Sequence, residues 1–139
     1  MGLKELGATT KKWTIRIAVW GSVLLVVGAF LYTYTTLHYV YSTGERVGFV
    51  QKLSKKGWIC KTNEGELAMV NMPGQEAQLF AFTVPDEAVV KQIEALSGNR
   101  VLIKYQQHVG IPSSCFGETQ YFVVGVEATH SAGAAQPPR

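Results

Sequence analysis

The stretch PDEAVVKQIEALSGN, residues 85–99, interrupts a run of strand-like sequence and decides the predicted fold. Asp86 offers a capping side chain and Glu87 an acidic group in the first turn, where both offset unpaired amides and the helix dipole. Apolar residues then recur at helical spacing, and Gly98 follows the last of them as a stop signal. One amphipathic helix is therefore predicted here.

The sequence on both sides of this helix alternates between apolar and polar residues with the period of two that is typical of strands. The predicted strands are residues 46–53, 58–72, 78–84, 100–107 and 120–126, with a bulge or turn at residues 63–65. Three strands, one helix and two strands is the succession of an OB-like five-stranded barrel with one helix between strands 3 and 4. An open α+β sheet built from the same elements is the alternative.

An uncharged stretch precedes this mainly β domain, since no charged residue lies between Arg16 and Glu45. About 20 residues at 1.5 Å each cross a hydrocarbon core of ~30 Å, so residues 17–37 are predicted to form one transmembrane helix. Trp13 and Trp20 lie towards one end of this stretch and four tyrosines towards the other, as in an aromatic belt. A cleaved signal peptide is the alternative.

The basic residues before the span predict its orientation. Lys4, Lys11, Lys12 and Arg16 precede it, whereas only Arg46 follows closely. The positive-inside rule therefore predicts a cytoplasmic N-terminus and a domain outside the cytoplasm. The predicted organisation is a basic N-terminus at 1–16, a transmembrane helix at 17–37, a linker at 38–45, the OB-like domain at 46–128 and a disordered tail at 129–139.

The formal charge of the whole chain is +3, but the domain does not share it. Residues 42–128 contain eight basic and nine acidic side chains. The excess of positive charge therefore belongs to membrane topology rather than to a face that binds polyanions, and nucleic acid is not an expected partner.

Two cysteines, Cys60 and Cys115, stand in the part of the chain that is predicted to face an oxidising compartment. In an OB-like barrel, the loop between strands 1 and 2 and the loop between strands 4 and 5 lie on the same side, and each cysteine falls at one of them. A disulfide that closes roughly 55 residues would contribute about 4 kcal/mol to stability. Two unpaired thiols are the alternative.

The same two loops supply the residues of a predicted binding rim, where OB-type barrels often bind ligands through aromatic stacking and cationic contacts. The rim consists of Lys55, Lys56, Trp58, Cys60, His108, Cys115 and Phe116. A solvated turn with Trp58 packed over the end of the barrel is the alternative. The two cysteines and His108 supply too few ligands for a zinc site, so no metal is predicted.

The chain shows no catalytic signature. It has neither a Gly-x-Ser-x-Gly context around Ser113 and Ser114 nor a Gly-x-Gly-x-x-Gly motif after a strand. Neither nucleophilic catalysis nor a nicotinamide cofactor is supported, and the sequence predicts a protein that is not an enzyme and carries no cofactor.

Four motifs carry a family resemblance: GERVG at 44–48, KKGWICKT at 55–62, EGELAM at 64–69 and PSSCFGET at 112–119. From the span to about Val126, the chain resembles a family of small single-span bacterial membrane proteins of uncharacterised function. Some members carry a 6-phosphogluconate dehydrogenase label. This chain is too short for such a two-domain enzyme and lacks its dinucleotide fingerprint, so the label predicts no activity here.

These observations lead to one leading expectation and two alternatives. The chain is expected to be a membrane-anchored, non-enzymatic binding or scaffold module of the bacterial cell envelope, single-pass in the inner membrane, with its domain periplasmic or otherwise extracytoplasmic. Its expected partners are the lipid bilayer and an envelope or membrane protein. The alternatives are an accessory subunit of a larger membrane complex and a thiol-dependent enzyme that uses Cys60 or Cys115.

Overall fold

The computed structural model describes residues 3–69, 74 and 76–129, and it describes side chains from residue 10 onwards. The chain divides into a helical unit that ends at His38 and a β unit that begins at Tyr39. Its elements are α1 (Leu3–His38), β1 (Ser42–Lys56), β2 (Thr62–Met69), β3 (Gln78–Val84), α2 (Glu87–Ala95), β4 (Arg100–Gln107) and β5 (Tyr121–Ala128). The predicted tail at 129–139 lies outside the described residues, apart from Thr129.

Helix α1 contains the apolar segment that the sequence predicts. Within the described residues, Thr10–His38 is long and apolar enough to cross a membrane, as a membrane anchor or a signal sequence would be. Several of its hydroxyl groups donate to carbonyls four residues earlier, for example Ser22 to Ala18 at 2.8 Å and Thr33 to Ala29 at 2.9 Å. Such bonds satisfy polar groups that would otherwise be costly in hydrocarbon.

The five strands form one sheet that closes into a barrel in the order β1-β2-β3-β5-β4. The first half of β1 pairs with β4, and its second half pairs with β2. An irregularity between Val50 and Lys52 bends the strand between these partners, as β-bulges do. Helix α2 lies between β3 and β4 in the chain. The predicted mainly β domain, with one helix between strands 3 and 4, is therefore confirmed.

The strand boundaries differ from the prediction most clearly in β1 and β2, and residues 70–72, predicted as the end of the second strand, lie outside the described residues. β1 begins at Ser42, because residues 42–45, predicted to be linker, pair with residues 104–107 of β4. Residues 63–65, predicted as a bulge or turn, lie within β2, whereas residues 58–61 form a loop instead of opening that strand. Gly65 fits inside β2 because its cross-strand neighbour Phe82 fills the space that a side chain would need.

The core lies inside the barrel and under α2. The largest fully buried side chains there belong to Phe82, Leu67, Ile93, Ile103, Val84, Val101 and Val123. Helix α2 packs on β3 and β5 and buries Val89, Val90 and Ile93. Asp86 caps its first turn by accepting a bond of 2.8 Å from the Ala88 amide. The predicted cap and apolar face of this helix are both present.

Candidate functional site

The loop between β1 and β2, residues 57–61, presents two large apolar side chains to solvent. Gly57 has φ of +123°, a conformation that glycine adopts without strain, and a side chain there would overlap the Cys60 carbonyl. The tight return that follows leaves Trp58 96% exposed and Ile59 88% exposed. Adjacent apolar residues at this level of exposure are typical of surfaces that contact another molecule.

A disulfide ties this loop to the loop between β4 and β5, residues 108–120. Cys60 and Cys115 are bonded, with 4.9 Å between their Cα atoms, and neither cysteine of the chain is free. An ion pair of 3.6 Å between Lys56 and Glu118 joins the same two segments. The pairing predicted from sequence is therefore present, and we call residues 57–61 and 108–120 the loop pair.

The second loop adds a third apolar side chain and a groove. The Phe116 amide donates to the Ser113 carbonyl at 3.2 Å and the Cys115 amide to the Ser113 hydroxyl at 3.1 Å, which forms a compact turn. Phe116 is 37% exposed beside the disulfide. An open groove of about 460 Å³ lies along residues 110–114 and 117–120. The loop pair thus combines exposed apolar groups with an open groove.

A buried carboxylate holds the second loop against the sheet. Glu64, only 5% exposed, accepts bonds from the Glu118 amide at 3.1 Å and from the Thr83 hydroxyl at 2.7 Å. The Thr119 hydroxyl lies 2.8 Å from that of Thr83. The sequence did not predict this network, because nothing local to Glu64 distinguishes it from a surface glutamate. The loop that buries it comes about fifty residues later.

The two lysines of the predicted rim are both ion-paired. The Lys55 ammonium lies 2.7 Å from the Glu87 carboxylate, and the Lys56 ammonium lies 3.6 Å from the Glu118 carboxylate. The hydrogen bond and charge of Lys55 hold the pKa of Glu87 below its ordinary value. Because each lysine has an acidic neighbour, the rim is less cationic than the sequence predicts.

His108 does not lie on the accessible rim, contrary to the prediction. It is 7% exposed, and its ring meets that of Phe122 edge-on with 5.0 Å between centroids. Its amide donates to the Gln120 carbonyl at 2.8 Å, which closes the base of the second loop. The aromatic neighbour and the closure of the loop draw this side chain inwards.

A small cleft lies near the loop pair, and the described residues there include no cluster of metal-binding side chains. In the described part of the chain, no three His, Cys, Asp or Glu side chains lie close enough together to hold a metal ion. A cleft of about 40 Å³ lies beside Ser54, Glu64 and Glu118, which is room for water rather than for a substrate.

Comparison with known proteins places the β unit in a family. A family model described as "Domain of unknown function (DUF8785)" matches residues 40–133, which is more than half of the chain and includes all five strands. No curated protein matches the chain. The chain therefore belongs to this family of domains of unknown function.

Proposed function

We propose that the chain is a membrane-anchored, non-enzymatic binding or scaffold module of the bacterial cell envelope, and that its loop pair binds a partner protein. The observation that carries the proposal is the exposure of Trp58 and Ile59 on a loop that is held by a disulfide. The resemblance to single-span bacterial membrane proteins and the apolar helix Thr10–His38 support the membrane and the bacterial envelope as its setting.

The size of the apolar tip is that of an anchor within a larger interface. An aromatic side chain buries about 150–250 Å², whereas a specific protein interface buries about 800 Å² on each partner. Trp58 would therefore supply the central contact, and the surrounding residues of the loop pair would supply the remaining interface area. Tryptophan is among the residues that most often dominate binding energy. The disulfide and the Glu64 network hold both loops in place before binding, which reduces the entropy lost on association.

The loop pair lies at the C-terminal end of β1. This strand runs for 15 residues from Ser42, which follows closely on α1, to Lys56, which precedes the loop. At about 3.3 Å per residue, a straight strand of this length would span about 45 Å, and the bulge shortens that distance. The exposed tip therefore lies at the other end of β1 from the connection to the helix.

The disulfide also supports an extracytoplasmic site for the domain. Disulfides persist in oxidising compartments and are rare in the cytosol. The basic residues before the span support the same orientation, with the N-terminus in the cytoplasm. An inner-membrane protein with a periplasmic or extracytoplasmic domain satisfies both observations.

The test compares partner recovery among matched surface variants. The full chain and the variants Trp58→Ala, Ile59→Ser and Leu79→Ala are purified from membranes in mild detergent, and their partners are quantified by mass spectrometry. Leu79 is also exposed and apolar but lies on β3, outside the loop pair. We expect a partner that is recovered with wild type and Leu79→Ala and lost with the other two. Equal recovery with all four proteins would refute the proposal.

A second candidate function is an accessory subunit of a membrane complex, with α1 as the interface. An open groove of about 470 Å³ lies on one face of this helix at Gly21, between Ile17 and Leu24. Grooves at small residues let a partner helix approach closely. Replacement of residues 17–37 by an unrelated apolar helix of equal length would abolish assembly in this case and leave it intact in the first.

A third candidate, a thiol-dependent enzyme, gains no support from the cysteines as they stand. Both are in the disulfide, so neither offers a thiolate. Cys→Ser substitution distinguishes the two roles, because a catalytic thiol predicts lost activity in a folded protein and a structural bond predicts lost stability.

A further inference from the structure

The inside of the barrel contains a cation. Arg46 on β1 pairs with Ile103 on β4, whose side chain is fully buried in the core, and paired residues share one face of a sheet. The guanidinium carbon of Arg46 lies 4.4 Å from the centroid of the Phe80 ring and 5.8 Å from that of Tyr105. Arg46 is therefore half-buried among aromatic side chains rather than extended into solvent.

This end of the barrel is the one that α2 leaves uncovered. Helix α2 joins the end of β3 to the start of β4. Phe80 lies in the first half of β3 and Tyr105 in the second half of β4, so both lie away from the helix. Tyr121, the first residue of β5, completes the group, with its ring 4.9 Å from Phe80 and 5.4 Å from Tyr105. We call Arg46, Phe80, Tyr105 and Tyr121 the arginine mouth.

The hydrogen-bonding capacity of Arg46 is largely unused. Its Nε atom is buried without an acceptor, and one of its terminal nitrogens donates to the sulfur of Met69 at 3.2 Å. Sulfur is a weak acceptor, whereas a guanidinium has five N–H donors and remains charged at every physiological pH. Across residues 10–69, 74 and 76–129, the ion pairs within 4.0 Å are Lys55–Glu87, Lys56–Glu118 and Lys104–Glu127, so Arg46 has no acidic partner there.

Aromatic contact compensates this cation only in part. A cation–π contact attracts the charge of the guanidinium, but it gives the buried Nε–H no acceptor oxygen. The neighbouring hydroxyls of Tyr105 and Tyr121 are not among the buried polar atoms that lack a partner, so both face solvent. The mouth therefore combines one cation with two hydroxyl groups that can each donate to an added acceptor.

We propose that the arginine mouth binds an oxyanion of the phosphate class. The terminal nitrogens of Arg46 donate to two of its oxygens, and the hydroxyls of Tyr105 and Tyr121 supply further donors. Phosphate has several acceptor oxygens in the geometry that a guanidinium matches. A free phosphate or phosphorylated solute and the phosphodiester of an anionic lipid headgroup share this chemistry. The site is separate from the loop pair, and it does not depend on the proposed partner protein.

The test follows the Arg46 side chain directly by NMR. Labelled full-length chain in neutral detergent is titrated with inorganic phosphate at constant ionic strength, and the Arg46 Nε–H and tyrosine ring resonances are recorded. We expect saturable shifts at these groups in wild type. The wild-type titration requires no substitution, so the test stands even if a variant fails to fold. Absence of any shift both here and with lipid would overturn the proposal.

Three variants test whether Arg46 itself binds the phosphate. Arg46→Met should weaken phosphate binding about 10- to 100-fold, and Arg46→Lys, which keeps the charge but loses the planar fork, should weaken it less. Arg100→Met removes an exposed arginine on β4 and should leave binding unchanged. Unchanged binding in a folded Arg46→Met variant would refute the assignment.

Nanodiscs distinguish the two sources of the oxyanion. Phosphatidylglycerol discs that shift the Arg46 resonance more than phosphatidylcholine discs, whose phosphodiester is neutralised by choline, would assign an anionic lipid headgroup. A response to dissolved phosphate alone would assign a soluble ligand. Both results support the arginine mouth, and a response to neither probe contradicts it.

Discussion

Glu64 and Glu118, two acidic residues that are 54 positions apart, are joined by a hydrogen bond from the amide of the second to the carboxylate of the first. The same carboxylate accepts the Thr83 hydroxyl on its other oxygen. Glu64 therefore joins β2, β3 and the loop between β4 and β5 at one buried point. The position of that loop, and with it the shape of the loop pair, depends on this side chain.

Substitution of Glu64 should destabilise the protein much more than substitution of its neighbour on the strand. Glu64→Ala leaves a backbone amide and a buried hydroxyl without their acceptor, which costs about 1–3 kcal/mol. Glu66→Ala, at a partly exposed position of the same strand, should cost about 0.5 kcal/mol or less. Near-UV circular dichroism during denaturation of the full chain in detergent measures both. Equal losses would contradict the anchoring role.

Removal of the disulfide should lower the stability of the domain by several kcal/mol. The bond closes 55 residues, for which the chain-entropy model predicts about 4 kcal/mol. Cys60→Ser/Cys115→Ser and reduced wild type should unfold at the same denaturant concentration, and reductant should not affect the variant. If the disulfide of the wild type is reduced and the stability of the protein does not change, the bond is not a source of stability.

Gly65→Ala should be destabilising, and a smaller residue at position 82 should partly restore stability. The methyl group would overlap the end of the Phe82 ring, and overpacking of this kind costs about 1–3 kcal/mol. Phe82→Leu shortens that side chain, and by itself it lowers stability because it removes buried apolar area. The double variant should therefore lose less than the sum of the two single losses in a double-mutant cycle. Additive losses would mean that the two residues do not compete for space.

Lys55→Met should raise the pKa of Glu87 towards its ordinary value. The hydrogen bond and charge of Lys55 are the main causes that lower this pKa, and Lys91 is a minor one, so Lys91→Met is the matched control. NMR titration of the Glu87 carboxyl should show a larger rise for Lys55→Met than for the control.

The direction of the linked pH effect follows from that lowered pKa. A carboxyl whose pKa is lower in the folded state contributes stability above its unfolded pKa, near 4.5, and loses it as pH falls through the folded value. The difference in stability between wild type and Lys55→Met should therefore be present at neutral pH and vanish in acid. It should be small, because solvent and salt screen this exposed pair. A difference that grows in acid would be inconsistent with the assignment.

Much of the fold could be predicted from local sequence, because periodicity and capping act over a few residues. Asp86 caps α2, and the apolar residues behind it turn to the core, as their spacing indicates. The disulfide could also be predicted, since the order of elements brings the loops of Cys60 and Cys115 to one side of a barrel.

Local pattern could not indicate which polar side chains the fold encloses. By residue type and position, His108 was expected on an accessible rim, and Glu64 and Arg46 carried no distinguishing signal. The burial of His108 and Glu64, and the partial burial of Arg46, depend on a loop or on strands that lie far away in the chain.

The amino-acid sequence by itself determined the apolar helix, the succession of strands and the helix between the third and fourth of them. Each of these follows from hydrophobic spacing and chain-terminating residues that act within one element. Only the tertiary structure decided that Glu64 anchors a loop, that the lysines of the rim are paired and that Arg46 lies inside the barrel. The physical reason is that the free energy of a buried charge depends on which partners the closed barrel brings within hydrogen-bonding distance.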